Sequence, residues 1–281
     1  MLHRLRNDKK AVSPAISTAI ITSAIVVMLL VTVVFANNYL NARMAENEFS
    51  AMKQFMQTVG LQIDDVAWTI GRTQTMRYAS KFGQITFQSV ALNYTLYVKY
   101  VNSTNYTRIA SFSTGALFFN MPTNTYNIAN NYKELISPTS NSSFLLQGTS
   151  APVSNVFVIE RVPMNDGNYI RVVVAPSIRM LNSTIANTGY YNCFLPILQP
   201  SGKDLHLSQS VTLMATAFNV NQTQNINKIK ITVDFPQSAL GFDSTFFNFN
   251  SSFKEVLVPA GQQASLEFFT GNVTVSLGVY A

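Results

Sequence analysis

Residues 15–36 read AISTAIITSAIVVMLLVTVVFA, and the stretch from Ala11 to Ala42 around them holds no charged residue. As a helix those 22 residues reach roughly 33 Å, enough to cross the hydrocarbon core of a bilayer. Ser17, Thr18, Thr22, Ser23 and Thr32 interrupt the run, but a hydroxyl can bond the carbonyl one turn back, so a helix absorbs them cheaply. Arg4, Arg6, Lys9 and Lys10 precede the run, whereas Arg43, Glu46 and Glu48 follow it. That asymmetry predicts a single-pass precursor with its N-terminus in the cytoplasm and everything past about residue 40 outside.

The rest of the 281 residues fits that reading. Charged residues make up only 11% of the chain, well below the quarter or so usual for soluble domains, while 47% are hydrophobic, including 20 Phe and 12 Tyr. A packed core is expected, and a disordered or coiled-coil chain is excluded. Of the net charge of +6, Arg4, Arg6, Lys9 and Lys10 against Asp8 supply half within the first ten residues. The remaining cations form no stripe, and no zinc-finger spacing or RNA-binding aromatic signature occurs, so no nucleic-acid partner is expected. The single cysteine, Cys193, allows no internal disulfide, and His3 and His206 are too few for a Cys-His metal module.

Three readings compete for the apolar segment. A secretory signal peptide would have a shorter apolar region and a cut near Val34-Phe35-Ala36. A plain signal anchor would keep the segment in lipid, with the rest as a tethered ectodomain that binds a glycan or a protein. The third reading comes from the junction Lys9-Lys10-Ala11-Val12-Ser13-Pro14-Ala15-Ile16, where cations stop against a Ser-Pro pair that opens the apolar run. This resembles the class III signal of archaeal type IV pilins. The resemblance covers about the first 80 residues. It implies removal of the leader 1–11 between Ala11 and Val12 by a prepilin peptidase, and retention of the apolar stretch on the mature protein. It also implies a homopolymer built through the N-terminal helices, an assembly ATPase and membrane platform as further partners, and surface attachment as the use. Bacterial pilins carry Glu at the fifth mature position; here it is Ile16, as in the archaeal branch. Independently of any family, Ser13 suits an N-cap and Pro14 the first helical turn. Ile16, Ile20, Val27, Leu30 and Val34 are the candidate filament-core residues, lipid-solvated before assembly and packed on sister helices after it.

Helical periodicity continues past the membrane. Phe49, Met52, Phe55 or Met56, Val59, Ile63, Val66 and Ile70 recur every three or four residues, with Glu46, Glu48, Lys53, Asp64 and Asp65 off the stripe. A long helix is expected over 12–80, with an amphipathic outer half at 43–77 and a bend near Gly60 or Gly71. From residue 84 the period becomes two. Tyr94, Leu96, Val98 and Tyr100, then Ile229, Ile231, Val233 and Phe235, then Val273, Val275, Leu277 and Val279 each alternate with polar residues. Asn165-Asp166-Gly167-Asn168 marks a hairpin between 156–162 and 170–174, and Val172-Val173-Val174 a central strand. The fold class expected is α+β, a long hydrophobic helix followed by an antiparallel, β-sandwich-like head over 84–281, with a sub-boundary near 198–202.

Asn-x-Ser/Thr sites begin at Asn93, Asn102, Asn105, Asn141, Asn182, Asn221, Asn250 and Asn272, all in the predicted outside portion. They are candidate glycan acceptors, with the loop at Asn102 and Asn105 the best placed and Asn272, at the start of a strand, the worst. No nucleophile elbow, phosphate loop, dinucleotide fingerprint or metalloprotease motif occurs, so no catalytic residue, metal or cofactor is expected. His206 reads as structural or surface, Asp64 and Asp65 as a solvated helix face, Asp166 as a turn residue and Cys193 as a small buried side chain.

Overall fold

The apolar run and the amphipathic stretch after it belong to one helix, α1 (Pro14–Ala67). They do so in a computed structural model that describes residues 14–139, 143–164, 167–202, 209–259 and 263–278. Residues up to Asn47 form one compact unit and Glu48–Ala281 a second. Within the second, Phe49, Met52, Met56, Val59, Ile63 and Val66 are all buried, and Phe55 is partly so. That is the face their spacing dictates.

The helix ends at Ala67 and not at 77–80, and Ile70 is exposed. Gly71 explains the stop. Its φ of 80° is left-handed, a conformation glycine adopts without Cβ strain, and the backbone there turns onto the sheet edge: Gly71 donates to the Ala215 carbonyl at 3.0 Å, and Ala215 donates to that of Arg72 at 2.9 Å. Residues Thr73–Arg77 then form strand β1, where β-branched Thr73 and Thr75 are favoured. Gly60 lies inside α1, where an added Cβ would stand 2.7 Å from Val156 Cγ2; it marks a close helix–sheet approach.

Eleven further strands among the described residues join β1 in one mixed sheet. These are β2 (Gln84–Tyr100), β3 (Thr107–Pro122), β4 (Lys133–Ser137), β5 (Leu145–Gln147), β6 (Ser154–Met164), β7 (Gly167–Pro176), β8 (Ile178–Ile185), β9 (Thr188–Pro200), β10 (Ser210–Asp234), β11 (Phe253–Leu257) and β12 (Gln263–Leu277). The order is β4-β6-β7-β3-β2-β10-β12-β9-β8-β5, with β1 and β11 also paired to β10. The sheet departs from the antiparallel expectation in two places, β9 with β12 and β5 with β8, which run parallel. The chain between β9 and β12 is long enough, with all of β10 in it, to return in the same direction, the condition a parallel pair needs. The expected hairpin is present as the antiparallel pair β6–β7; Asn165 and Asp166 lie outside the described residues, as do Asp204, His206 and Val279.

The three alternating segments read from the sequence pair as their pattern requires: Ile229 with Val98, Ile231 with Leu96 and Val233 with Tyr94 between β10 and β2. The sheet is apolar on both faces. On one, Leu117, Phe119, Met121, Val156, Val158, Val172 and Val174 pack with the α1 stripe. On the other, Ala116, Phe118, Phe157, Ile159, Val173 and Ala175 pack with Phe242, Phe246, Phe247 and Phe249. Strand β7 is therefore covered twice, which is why its centre, Val172-Val173-Val174, is an unbroken valine run. Residues 198–202 do not divide the head. Leu198 is buried and pairs with Val273, and Pro200 pairs with Val275, so the parallel ladder runs through the expected boundary.

A Cβ at Gly271 would overlap the carbonyl of Ala67, and backbone cannot yield as a side-chain tip can. Gly271→Ala should therefore lower thermal stability by about 1–3 kcal/mol, read by circular dichroism of the detergent-solubilised chain. Gly60→Ala should cost less, because Val156 can shift and alanine favours the helix.

Candidate functional site

In the unit up to Asn47, the side chains of Ile16, Ile20, Val27, Leu30 and Val34 are 55–62% exposed, and no large apolar residue from Ile16 to Leu40 is buried. This helix is the one among the described residues that is long and apolar enough to cross a membrane. Two of its hydroxyls bond back one turn, as expected: Thr22 Oγ1 donates to the Thr18 carbonyl at 2.8 Å and Thr32 Oγ1 to that of Met28 at 2.7 Å. Ala19, Ser23 and Ala24 form a shallow groove beside Ile16 and Ile20, a place where another helix backbone can come close. Arg43 closes the apolar stretch, bonded to Tyr39 at 3.2 Å and paired with Glu46 at 2.8 Å. An uncovered apolar cylinder of this length represents tens of kcal/mol in water at about 25 cal/mol per Å². What it can do chemically is enter lipid or pack against apolar helices. The junction residues Lys9, Lys10, Ala11, Val12 and Ser13 lie outside the described residues, and Pro14 is the first described residue of α1.

The head uses its few charges to fix the chain. Glu48 collects the turn after β1: its Oε1 accepts from Ser80 Oγ at 2.5 Å, Phe82 N at 3.0 Å and Gly83 N at 3.3 Å, and its Oε2 from Lys81 N at 2.9 Å. Asp64 is not merely solvated, since Trp68 Nε1 donates to it at 2.7 Å and Arg179 at 3.1 Å; its neighbour Asp65 pairs with Arg72. Two fully buried charged residues have no counterpart in the sequence reading. Glu160 accepts from the backbone of Ile128 and Ala129 at 3.0 and 2.6 Å, and Arg171 donates to Asn120 at 2.8 Å and lies over the rings of Tyr169, Phe242 and Phe246. The signal was strand parity: Glu160 shares its face with Val156 and Val158, and Arg171 with Val173.

No group of three or more His, Cys, Asp or Glu that could hold a metal ion occurs among the described residues. Of the sequons, Asn102, Asn105, Asn182, Asn221 and Asn250 are exposed. Asn93 and Asn272 are half-buried, with side-chain oxygens shut off from solvent. Asn141 lies outside the described residues. One cleft in the head, about 460 Å³, is uncharged and lined by Ser111, Ser113, Gln199, Asn219, Asn221 and Thr270 among others. Comparison with family models, curated proteins and solved structures finds no match.

Cys193 is fully buried, and desolvation pushes its thiol far above the usual range. Maleimide should leave the folded protein unlabelled at neutral pH and react fully once guanidinium unfolds it. Replacing Glu48 by Gln should free the 80–83 turn, raising its amide exchange and costing about 1–3 kcal/mol.

Proposed function

We propose that the chain is a structural subunit of an archaeal type IV pilus-like surface filament. The observation that carries this reading is the apolar segment Ile16–Leu40, whose large side chains are all exposed among the described residues. Its junction, Lys9-Lys10-Ala11-Val12-Ser13-Pro14, supports the class III reading. Lipid solvates the segment in the precursor. In the filament, sister copies do so through Ile16, Ile20, Val27, Leu30 and Val34. Cutting between Ala11 and Val12 removes the leader cations, which would be costly to desolvate at a helix bundle. A prepilin peptidase, an assembly ATPase and a membrane platform are the partners this route requires. The head stands outside the cell for adhesion, its mixed sheet closing over the aromatic face like a sandwich, with glycans on the exposed sequons.

A permanently anchored binding ectodomain is the second reading. The uncharged cleft around Asn219 and Thr270 favours it, since hydroxyl and amide groups beside Phe112 suit a neutral glycan.

Intact mass and N-terminal sequencing separate the two: Val12 as the first residue is expected for the filament subunit, and an intact Met1 start would leave only the anchor. Electron microscopy of sheared surface material should show fibres. Val27→Asp should leave the protein in the membrane, because one acid costs about 2.5–3.5 kcal/mol at the centre of a long apolar span, yet abolish those fibres.

A further inference from the structure

Four cations that are scattered in the sequence meet on one face of the head. The registers of β3, β2, β10 and β11 set Arg108, Tyr97, Lys230 and Glu255 in one row across the sheet, and Lys99, Lys228 and Leu257 in the next. Neighbouring strands are about 4.8 Å apart and alternate residues on a strand about 6.7 Å, so the Cα atoms of the four cations fall within about 12 Å of one another. Leu96, Val98, Ile229 and Ile231, the residues between, point the other way into the aromatic core. The cationic face is open: Arg108, Glu255 and Leu257 are exposed, and Lys99, Lys228 and Lys230 are half-buried.

This arrangement costs the fold electrostatically. Lys99 and Lys228 stand directly opposite on antiparallel strands, Cα atoms about 5 Å apart, where like charges destabilise. No described carboxylate forms an ion pair with Lys99, Arg108 or Lys228. Lys230 is better placed, its ammonium 5.6 Å from the ring centre of Tyr106 and 5.3 Å from that of Phe253. The row beyond supplies hydroxyls, from Ser111, Thr95 and Thr232, with the first two 3.2 Å apart.

We propose that this face binds an acidic polysaccharide, whose acid groups lie across the paired lysines and Arg108 while its hydroxyls meet the Ser-Thr row. An anion set across Lys99 and Lys228 turns their repulsion into two attractions. A sister head has no matching anionic face: among its described acids Glu48, Asp64, Asp65, Glu134 and Asp243 are engaged and Glu160 is buried. Single-stranded nucleic acid stacks its bases on free rings, but Tyr106 and Phe253 already give a face to Lys230. An anionic bilayer is a continuous plane of charge that Glu255, inside the patch, repels; acid groups spaced along a sugar chain can pass it. The inference deepens the adhesion part of the proposed function, yet binding is read on single chains and stands or falls whether or not fibres form.

The test uses the full chain in neutral detergent micelles over immobilised alginate and dextran sulfate, with neutral dextran as the blank. Binding should weaken with added salt. Lys99→Gln with Lys228→Gln should weaken it roughly tenfold. Arg77→Gln with Lys81→Gln removes the same charge from exposed positions outside the patch and should change it by less than about twofold. Lys228→Glu should raise Tm, because the like pair becomes an opposite one, and still abolish binding, which separates lost binding from misfolding. Absence of binding to both acidic polymers overturns the inference, as do equal losses from the two double variants. Tighter binding to oligothymidylate or to phosphatidylglycerol nanodiscs than to either polymer overturns it too.

Discussion

One helix in this protein is apolar all round in its first half and apolar along one stripe in its second, and the head is folded on that stripe. From Ile16 to Leu40 the side chains of α1 are apolar on every side and none of the large ones is buried. From Phe49 to Val66 only one stripe is apolar, and the sheet takes it. A helix hydrophobic all round cannot rest in water, whereas a striped one needs just one partner face. The change comes where charge begins, at Arg43, Glu46 and Glu48, and Glu48 already serves the head by holding the 80–83 turn. An uncovered apolar segment and a stripe that packs on the sheet are thus divided along the sequence of a single element.

The sheet side of that contact demands unusual regularity. Strands β3, β6 and β7 carry apolar residues on both faces over 116–119, 156–159 and 172–175, because α1 covers one face and the phenylalanine-rich segment 242–249 covers the other. Two glycines mark close approach of helix and sheet, Gly60 against the Val156 side chain and Gly271 against the Ala67 carbonyl. Strand β10 ties the whole together, since its start pairs with β1 and β12 and its end with β2 and β11. Its bulges near Thr216 and Asn225 re-aim the strand, so that Leu213 faces the helix side and Ile229 the aromatic side.

What the sequence shows well is periodicity. The α1 stripe, the alternating strands 94–100, 229–235 and 273–277, the 165–168 hairpin and the doubly buried valine run are all visible because each rests on local spacing. The end of the helix is not. Ile70 falls in phase with the stripe, and the left-handed turn at Gly71, held by the bonds of Gly71 and Arg72 to Ala215, takes the chain onto the sheet. Parallel pairing of β9 with β12 is likewise invisible, because no local signal records which distant strand a segment meets. Of the candidate site, exposure of the apolar segment followed from composition. The inward turn of Asn93 and Asn272 did not, since a sequon reads the same on either face of a strand.

The shortage of charge has its own consequence for how heads can meet. Water is held at this surface largely by Asn, Gln, Ser and Thr, which lose less on desolvation than ions do. Where charges occur in the head, most described ones are engaged, as in Lys53 with Glu134 at 2.6 Å and Asp64 with Arg179, or buried, as in Glu160 and Arg171. Two such surfaces can be brought together without stripping ions of their hydration and without long-range repulsion, so association depends on shape and on backbone bonds more than on salt. Between heads, electrostatics therefore gives little selectivity, and what limits their association is geometry. The face around Lys99 and Lys228 is the exception, since no described carboxylate pairs with either, and it is there that charge can select a partner.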